Sequence, residues 1–237
     1  MDYPNISICM PIYNRSWCKP LIISNLTRLY YDLNKLEFVV DDDSDKDLLF
    51  KNALEEAEFR LLIQPIKLLY HKSKIKRSIG AKRNNLVKKS SNKIIAFMDS
   101  DDIYLSDYLK HSIDIMRKER AGLVCSNQML FLYPKENWLC TGIQCVAKRM
   151  GHEATMVFTK KHFRACGGFV SSSQGEGVKM IDGMKDSTVA MTDITKCMIC
   201  ICHSSNTINK DRFKESTVVD YNLPEHEKRL IKYVFNI

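Results

Sequence analysis

Lys93 to His111 reads KIIAFMDSDDIYLSDYLKH, and the fold turns on how this stretch is read. Ile94 to Met98 is an apolar run of strand length. It breaks off into Asp99, Ser100, Asp101 and Asp102, after which amphipathic, helix-like sequence runs from about Tyr104 to Arg117. Three carboxylates at the end of a buried strand repel one another and lose hydration unless a cation or a helix N-terminus compensates them. Asp102, or Ser106, suffices to cap the following helix, and capping needs only one acid. Asp99 and Asp101 alternate with Ser100 on an extended segment, and both can approach a divalent cation that prefers oxygen ligands and bridges phosphates.

The same grammar extends toward the N-terminus. Asn5 to Pro11 (NISICMP), Leu36 to Val40 (LEFVV) and Ile66 to Tyr70 (IKLLY) are further strand-like runs. Helix-like segments separate them: CKPLIISNLTRLYYDL, KDLLFKNALEEAEF and a basic segment from Ser78 to Lys89. Four strand-then-helix units imply right-handed crossovers and an α/β fold with a mostly parallel, Rossmann-like central sheet covered by helices on both faces. Such sheets bind ligands beyond the carboxyl ends of their strands. Three polar clusters fall there: Tyr13 to Arg15, Asp41 to Asp45, and Asp99 to Asp102. In the second cluster, Asp43 to Asp45 also suit an Asx-type turn. Asp42 can accept from a base N–H or a ribose hydroxyl, and Tyr13 offers a flat face for the base.

The second half has a different texture. GLVCSNQMLFLYP (Gly122 to Pro134) suggests a strand pair, ATMVFTKKHFRACGGF a strand, a short helix and a Gly-Gly turn, and KCMICICHSSNT a β-run ending in His203. No Pro/Gly/Ser-rich linker intervenes, so residues 1–237 are expected to form one domain. Its parts are a nucleotide-binding half to about residue 120, an acceptor-side half at about 121–210, and a helical tail at 211–237.

Composition narrows the class. In 237 residues, 45% are apolar and 27% charged, as in ordinary globular proteins. No apolar stretch approaches the roughly 20 residues that span a bilayer, and the N-terminus lacks a basic n-region. Nine cysteines in apolar contexts suit reduced thiols. These features predict a cytoplasmic protein without a transmembrane segment. The net charge of +8 favours anionic partners. His71 to Lys93 carries nine Lys or Arg and no acid, which suits nucleotide phosphates, nucleic acid or a solvated helix face. The interspersed acidic clusters argue against nucleic acid. Zinc at CMICICH is disfavoured, because Cys200 and Cys202 share one strand face and no second paired motif exists.

Four segments, ISICMPIYNR, LEFVVDDDSD, IGAKRNNLVKKSSNKIIAFMDSDD and MVFTKKHFRACGGF, stand in the order and approximate spacing of family 2 glycosyltransferases of the GT-A fold. The chain resembles that family over about residues 5 to 207, with a flavour similar to enzymes encoded by large DNA viruses. The resemblance implies donor contacts from Pro11, Tyr13, Asn14, Arg15, Asp42, Arg83, Asp99 and Ser100. It implies Mn²⁺ or Mg²⁺ held by Asp101 and Asp99, with His203 as a further ligand. A lone His after a strand also suits a surface hydrogen bond. The implied reaction is metal-dependent, inverting transfer from a nucleoside diphosphate sugar, UDP-linked by family habit, to the hydroxyl of a glycan, protein or small molecule. Two departures stand out: Asp43 replaces the usual Gly of DDGS, and SSQGEGVKMID replaces a catalytic Glu-Asp pair. Glu176, between Gly175 and Gly177, is then the candidate base, with Asp182 next and an exposed loop glutamate as the alternative. The competing function is a nucleotidyltransferase or a sugar-nucleotide binder that transfers no sugar.

Overall fold

The structure is a computed structural model of the chain and describes residues 2–145, 150–182, 188–206 and 208–237. Strands β1 (Ile6–Ile12), β2 (Leu36–Asp42), β3 (Lys67–Lys72) and β4 (Ile94–Phe97) lie mutually parallel in the order β3-β2-β1-β4. The connecting helices are α1 (Lys19–Thr27), α2 (Ala53–Leu62) and α3 (Ile79–Lys89). Alternate residues of β1 serve two cores. Ile8 and Met10 pack with Leu21, Ile22 and Leu26 of α1, whereas Cys9 packs with Leu86 and Val87 of α3. Burial on both faces is why these strands read as unbroken apolar runs.

Beyond β4 come β5 (Ile103–Tyr104), α4 (Tyr108–Lys118), β6 (Leu123–Cys125), β7 (Gln128–Tyr133), β8 (Leu139–Gln144) and β9 (Val157–Thr159). Then follow α5 (Lys160–Cys166), α6 (Val178–Ile181), β10 (Val189–Met191), β11 (Met198–Ile201), β12 (Thr217–Val218) and α7 (Glu225–Phe235). Among the described residues the main sheet has seven strands, β10-β6-β9-β4-β1-β2-β3, and only β9 runs against its neighbours. The architecture is the mixed α/β, mostly parallel sheet that the patterning predicts. A second sheet, β12-β8-β7-β11-β5, packs alongside. Gly122 to Pro134 is thus no simple strand pair, because β6 joins the first sheet and β7 the second. The Gly-Gly turn after α5 is present, with φ of +78° at Gly167 and +79° at Gly168.

Two helices begin later than expected, for local reasons. Ile103 and Tyr104 pair antiparallel with Ile199 and Met198, so α4 starts at Tyr108. Lys46 and Asp47 both donate their backbone N–H groups to Asn14 Oδ1, at 3.2 and 3.1 Å, and α2 waits for Asn52, whose side chain accepts from Glu55 N. The C-terminal tail folds onto this domain: α7 packs against α1, buries Ile231 and Val234, and pairs Glu227 with Arg28.

Asn25 of α1 clamps the start of β5. Its Nδ2 donates to Asp102 O at 2.8 Å, and its Oδ1 accepts from Tyr104 N at 3.0 Å, in a fully buried setting. Asn25→Ala orphans both backbone groups, each at about 1–3 kcal/mol. We expect urea unfolding to show a loss of about 3 kcal/mol.

Candidate active site

The carboxyl ends of β1, β2 and β4 meet at one edge of the sheet. β4 stops at Phe97, paired with Cys9, while β1 runs on to Ile12 beside β2. Pro11 therefore occupies a position where β1 has no β4 partner to donate to, which is where a strand tolerates proline. Asn14 takes a left-handed conformation, φ +53°, just past the strand. From there it ties the two loops together, its N–H donating to Ser44 Oγ at 2.6 Å and its Nδ2 to Asp45 Oδ1 at 2.8 Å. Tyr13 lies beside them with Lys76 Nζ 3.9 Å from its ring centroid, so one aromatic face already carries a cation.

The DDDS acids are spent internally. Asp41 pairs with Arg77 and accepts from Asn85 Nδ2 at 2.7 Å. Asp42 is fully buried and accepts from Ser44 N at 3.0 Å, Leu49 N at 2.8 Å and the Tyr70 hydroxyl at 2.6 Å. In this arrangement Asp42 holds the loop and is shut off from solvent, so a base could reach it only if the loop opened. Asp43, where the family has Gly, meets Lys82 Nζ at 2.5 Å and accepts from Arg77 N at 2.7 Å. The acid at this position and the lysine are a matched pair. The basic stretch from His71 to Lys93 thus turns three of its cations inward: Arg77, Lys82 and Arg83.

At the end of β4, the Tyr104 hydroxyl accepts from Asp99 N at 2.7 Å and donates to Ala154 O at 3.0 Å, tying the acidic turn to the opposite wall. Asp102 turns inward and accepts from Ile201 N at 3.0 Å. Burial, with Cys200, Asp101 and Asp99 nearby, pushes its carboxyl well up. Neither Asp102 nor Ser106 caps α4, whose first flanking residue is Asp107 without a side-chain cap bond. Ser100 is buried between the two acids.

Asp101 lies 3.0 Å from His203 Nε2 and 3.3 Å from Arg15 Nη2. Burial raises its carboxyl, but the His203 hydrogen bond and the Arg15 charge outweigh that and hold it below the usual aspartate range. His203 Nδ1 accepts from Ser205 N at 3.2 Å, which leaves the proton on Nε2, facing Asp101. The oxygens of Asp99 and Asp101 suit a hard divalent ion. His203 would join it as a ligand only after exchanging its bond to Ser205 N. Among the described residues, no three acid, His or Cys side chains converge as a closed metal cage. An ion here would draw its remaining ligands from phosphate and water, as Mg²⁺ commonly does.

Arg83 joins the halves. Only 3% exposed, it donates from Nε to Glu176 Oε1 at 3.1 Å and from Nη2 to Asp99 Oδ1 at 3.3 Å, with its guanidinium 4.5 Å from the Phe97 ring centroid. Its Nη1 is buried without a partner among the described residues. The Glu176 loop reaches Arg83 because Gly80 of α3 lets it in: a Cβ there would sit 1.8 Å from Val170 O and 2.9 Å from Glu176 Cβ. Burial raises the Glu176 carboxyl against the pull of Arg83, and nearby Glu153 adds to the rise. Burial likewise raises Asp99. Asp182 is exposed at the end of α6, and among the described residues its side chain bonds to none of these groups.

Sequence reasoning missed two residues here. Lys82 is buried, though lysine-rich helices are usually solvated. Glu153, whose Oε1 accepts from Gly177 N at 3.0 Å, sits in no motif. Beside His203 lies a cavity of about 730 Å³, lined by Trp17, Tyr133, Lys210 and Phe235 among others.

A family model described as Glycosyl transferase family 2 matches residues 7–170. The Escherichia coli UDP-Glc:alpha-D-GlcNAc-diphosphoundecaprenol beta-1,3-glucosyltransferase WfgD is 36% identical over 127 residues, covering 54% of this chain and 47% of the relative. An uncharacterized glycosyltransferase of Haemophilus influenzae is 29% identical over 128 residues, covering 54% and 48%. The chain spans about half the length of these curated relatives. Among solved structures, the mannosyltransferase PcManGT from Pyrobaculum calidifontis, in complex with GDP-Man and Mn2+, superposes with TM-score 0.63 at 14% identity, covering 90% of this chain and 59% of that one. Staphylococcus aureus TarS 1-349, in complex with UDP-GlcNAc, gives 0.62 at 15% identity, covering 98% and 72%. The fold is shared with these GT-A glycosyltransferases.

Proposed function

The chain belongs to glycosyl transferase family 2, and on that premise we propose that it moves a sugar, with inversion, from a UDP-linked donor to a hydroxyl acceptor with the help of Mn²⁺ or Mg²⁺. The observation that carries this reading is the strand-end cluster. Arg15, Asp101 and His203 meet there, and Arg83 keeps a buried, unpartnered Nη1 beside Asp99. An orphaned guanidinium donor costs free energy unless something anionic fills the place, and a diphosphate does so.

In this reading Pro11, Tyr13, Asn14 and the loop held by Asp42 form the nucleoside side. Asp99, Ser100, Arg15 and Arg83 face the diphosphate. Asp101 and Asp99, with His203 after it changes partner, would hold the ion, which supplies counter-charge for the leaving diphosphate. A carboxylate on the Glu176 wall takes the proton of the acceptor. The cavity lined by Trp17 and Phe235 offers aromatic faces to a glycan acceptor; proteins and small molecules bearing hydroxyls share the needed chemistry. Nine free cysteines, six of them buried, support a reducing, cytoplasmic setting. Among the described residues, no helix is long and apolar enough to cross a membrane.

Thermal shift with UDP-glucose, UDP-GlcNAc and GDP-mannose, each with and without Mn²⁺, tests the donor side. At a hundredfold excess over Kd, binding adds about 2.7 kcal/mol, or about 5–10 °C for a domain of this size. We expect the shift with a UDP sugar, and a larger one with Mn²⁺. No shift with any nucleotide sugar would end the reading. A shift without sugar release to any acceptor would favour a nucleotide-binding or nucleotidyl-transferring protein.

A further inference from the structure

Glu153 opens the short turn Glu153–Thr155 that leads into β9. Three hydrogen bonds lock this turn to the end of β4: Asp99 N to the Tyr104 hydroxyl, that hydroxyl to Ala154 O, and Phe97 N to Met156 O at 3.0 Å. The Glu153 side chain crosses to the Glu176 loop, where its Oε1 accepts from Gly177 N at 3.0 Å. Gly177 has φ −83° and ψ −2°, a conformation open to any residue. The backbone therefore does not ask for glycine here; space does. A Cβ at 177 would lie 2.6 Å from Glu153 Cγ and 2.9 Å from its Oε1. Glycine at 177 is what admits a second carboxylate beside Glu176.

The two acids differ in what they are free to do. Glu176 is 5% exposed, and its Oε1 anchors the buried Arg83. Taking up a proton there would strand that guanidinium. Glu153 is half-buried, pairs with no cation among the described residues, and has one oxygen that accepts from none of them. Resting on the glycosyl-transfer reading, we propose that Glu153 is the base for the acceptor hydroxyl and that Glu176 is the positioning residue for Arg83. The acceptor O–H proton passes to the free oxygen of Glu153. The oxygen lone pair forms the bond to the anomeric carbon, and the bond from that carbon to the phosphate oxygen breaks with its electron pair leaving on the diphosphate. Glu153 then returns the proton to solvent.

The test measures nucleotide release by the full chain from the same three donors with Mn²⁺, against a panel of aryl glycosides and against water. Glu153→Gln keeps an oxygen for Gly177 N–H, so its melting temperature should stay near wild type. Its kcat should fall by about 10²–10⁴, the usual worth of a general base, with donor KM within about twofold, and the acid limb of the pH–rate profile should vanish. Gly177→Ala, which retains every acid but displaces Glu153, should lose kcat to a similar degree. Glu176→Gln keeps an acceptor for Arg83 Nε but removes the charge that fixes the guanidinium, and should instead raise donor KM. Wild-type rates in Glu153→Gln or in Gly177→Ala overturn the inference and leave the transfer reading standing, as does a kcat loss at unchanged donor KM in Glu176→Gln. A wild-type chain that releases no nucleotide from any donor overturns both.

Discussion

Asp101→Ala is expected to stop sugar transfer, by about 10³-fold or more, in a protein that remains folded. The magnitude follows from what the carboxylate does in the reaction we propose. A divalent ion at a leaving diphosphate stabilises developing charge by several kcal/mol, and each 1.36 kcal/mol is a factor of ten in rate. The fold should survive because the partners of Asp101 keep other contacts. Arg15 Nη2 still reaches Ser205 O at 2.5 Å, and His203 Nδ1 still accepts from Ser205 N. Asp101 is itself partly exposed, so its removal leaves no sealed, uncompensated charge. Asp101→Asn separates charge from shape: it retains an oxygen for His203 Nε2–H yet loses the anion, and should be as inactive as the alanine variant. Nucleotide release with Mn²⁺ and the thermal midpoint measure the two halves of the expectation. Full rate in either variant, or in the wild-type chain under excess chelator, removes the ion from the reaction.

How far such a site can be read from sequence depends on whether its parts are local. The strands β1 to β4 and the clusters at their ends are legible because a doubly buried parallel strand must be an apolar run and must end in polar residues. The direction each acid faces is a different matter. Nothing in VVDDDSD says that Asp42 closes on Ser44, Leu49 and Tyr70, or that Asp43 answers Lys82, since those partners lie up to 39 residues away. Asp102 looks like a cap and is a clasp for Ile201, 99 residues on. The second sheet is scattered for the same reason: β5 has two residues and owes its existence to β11. Glu153 has no signature because its meaning lies in an absence, the missing side chain of Gly177. The likeness to enzymes of large DNA viruses rests on motif spelling alone, and the curated relatives described above are bacterial.

Arg83→Ala should be the most destabilising change in the site, costing about 3–5 kcal/mol, the range for stripping one partner from a buried ion pair. Glu176 bears most of it, being 5% exposed, whereas the Asp99 side chain is about one-third exposed and can rehydrate. The sign of the pH dependence follows. Burial already places the Glu176 carboxyl above its ordinary value, and Arg83 is the chief influence opposing that rise. Without Arg83 it rises further, so the folded variant binds a proton more tightly than the unfolded chain does over a wider range. A carboxyl raised on folding costs nothing below the unfolded value of about 4.3 and costs progressively more as pH climbs through the folded value. The stability gap between wild type and Arg83→Ala should therefore be small near pH 5 and larger at pH 8, as urea unfolding at the two pH values can show. Adding Glu176→Gln should recover much of the loss, because the double variant has no stranded charge. Arg83→Lys should not restore donor affinity, since an ammonium cannot reproduce the planar fork that meets Asp99 and Glu176 while leaving Nη1 to a phosphate. A gap that is the same at both pH values, or a double variant no more stable than Arg83→Ala, would mean that Arg83 supports the fold through its packing on Phe97 and that its charge has no part in it.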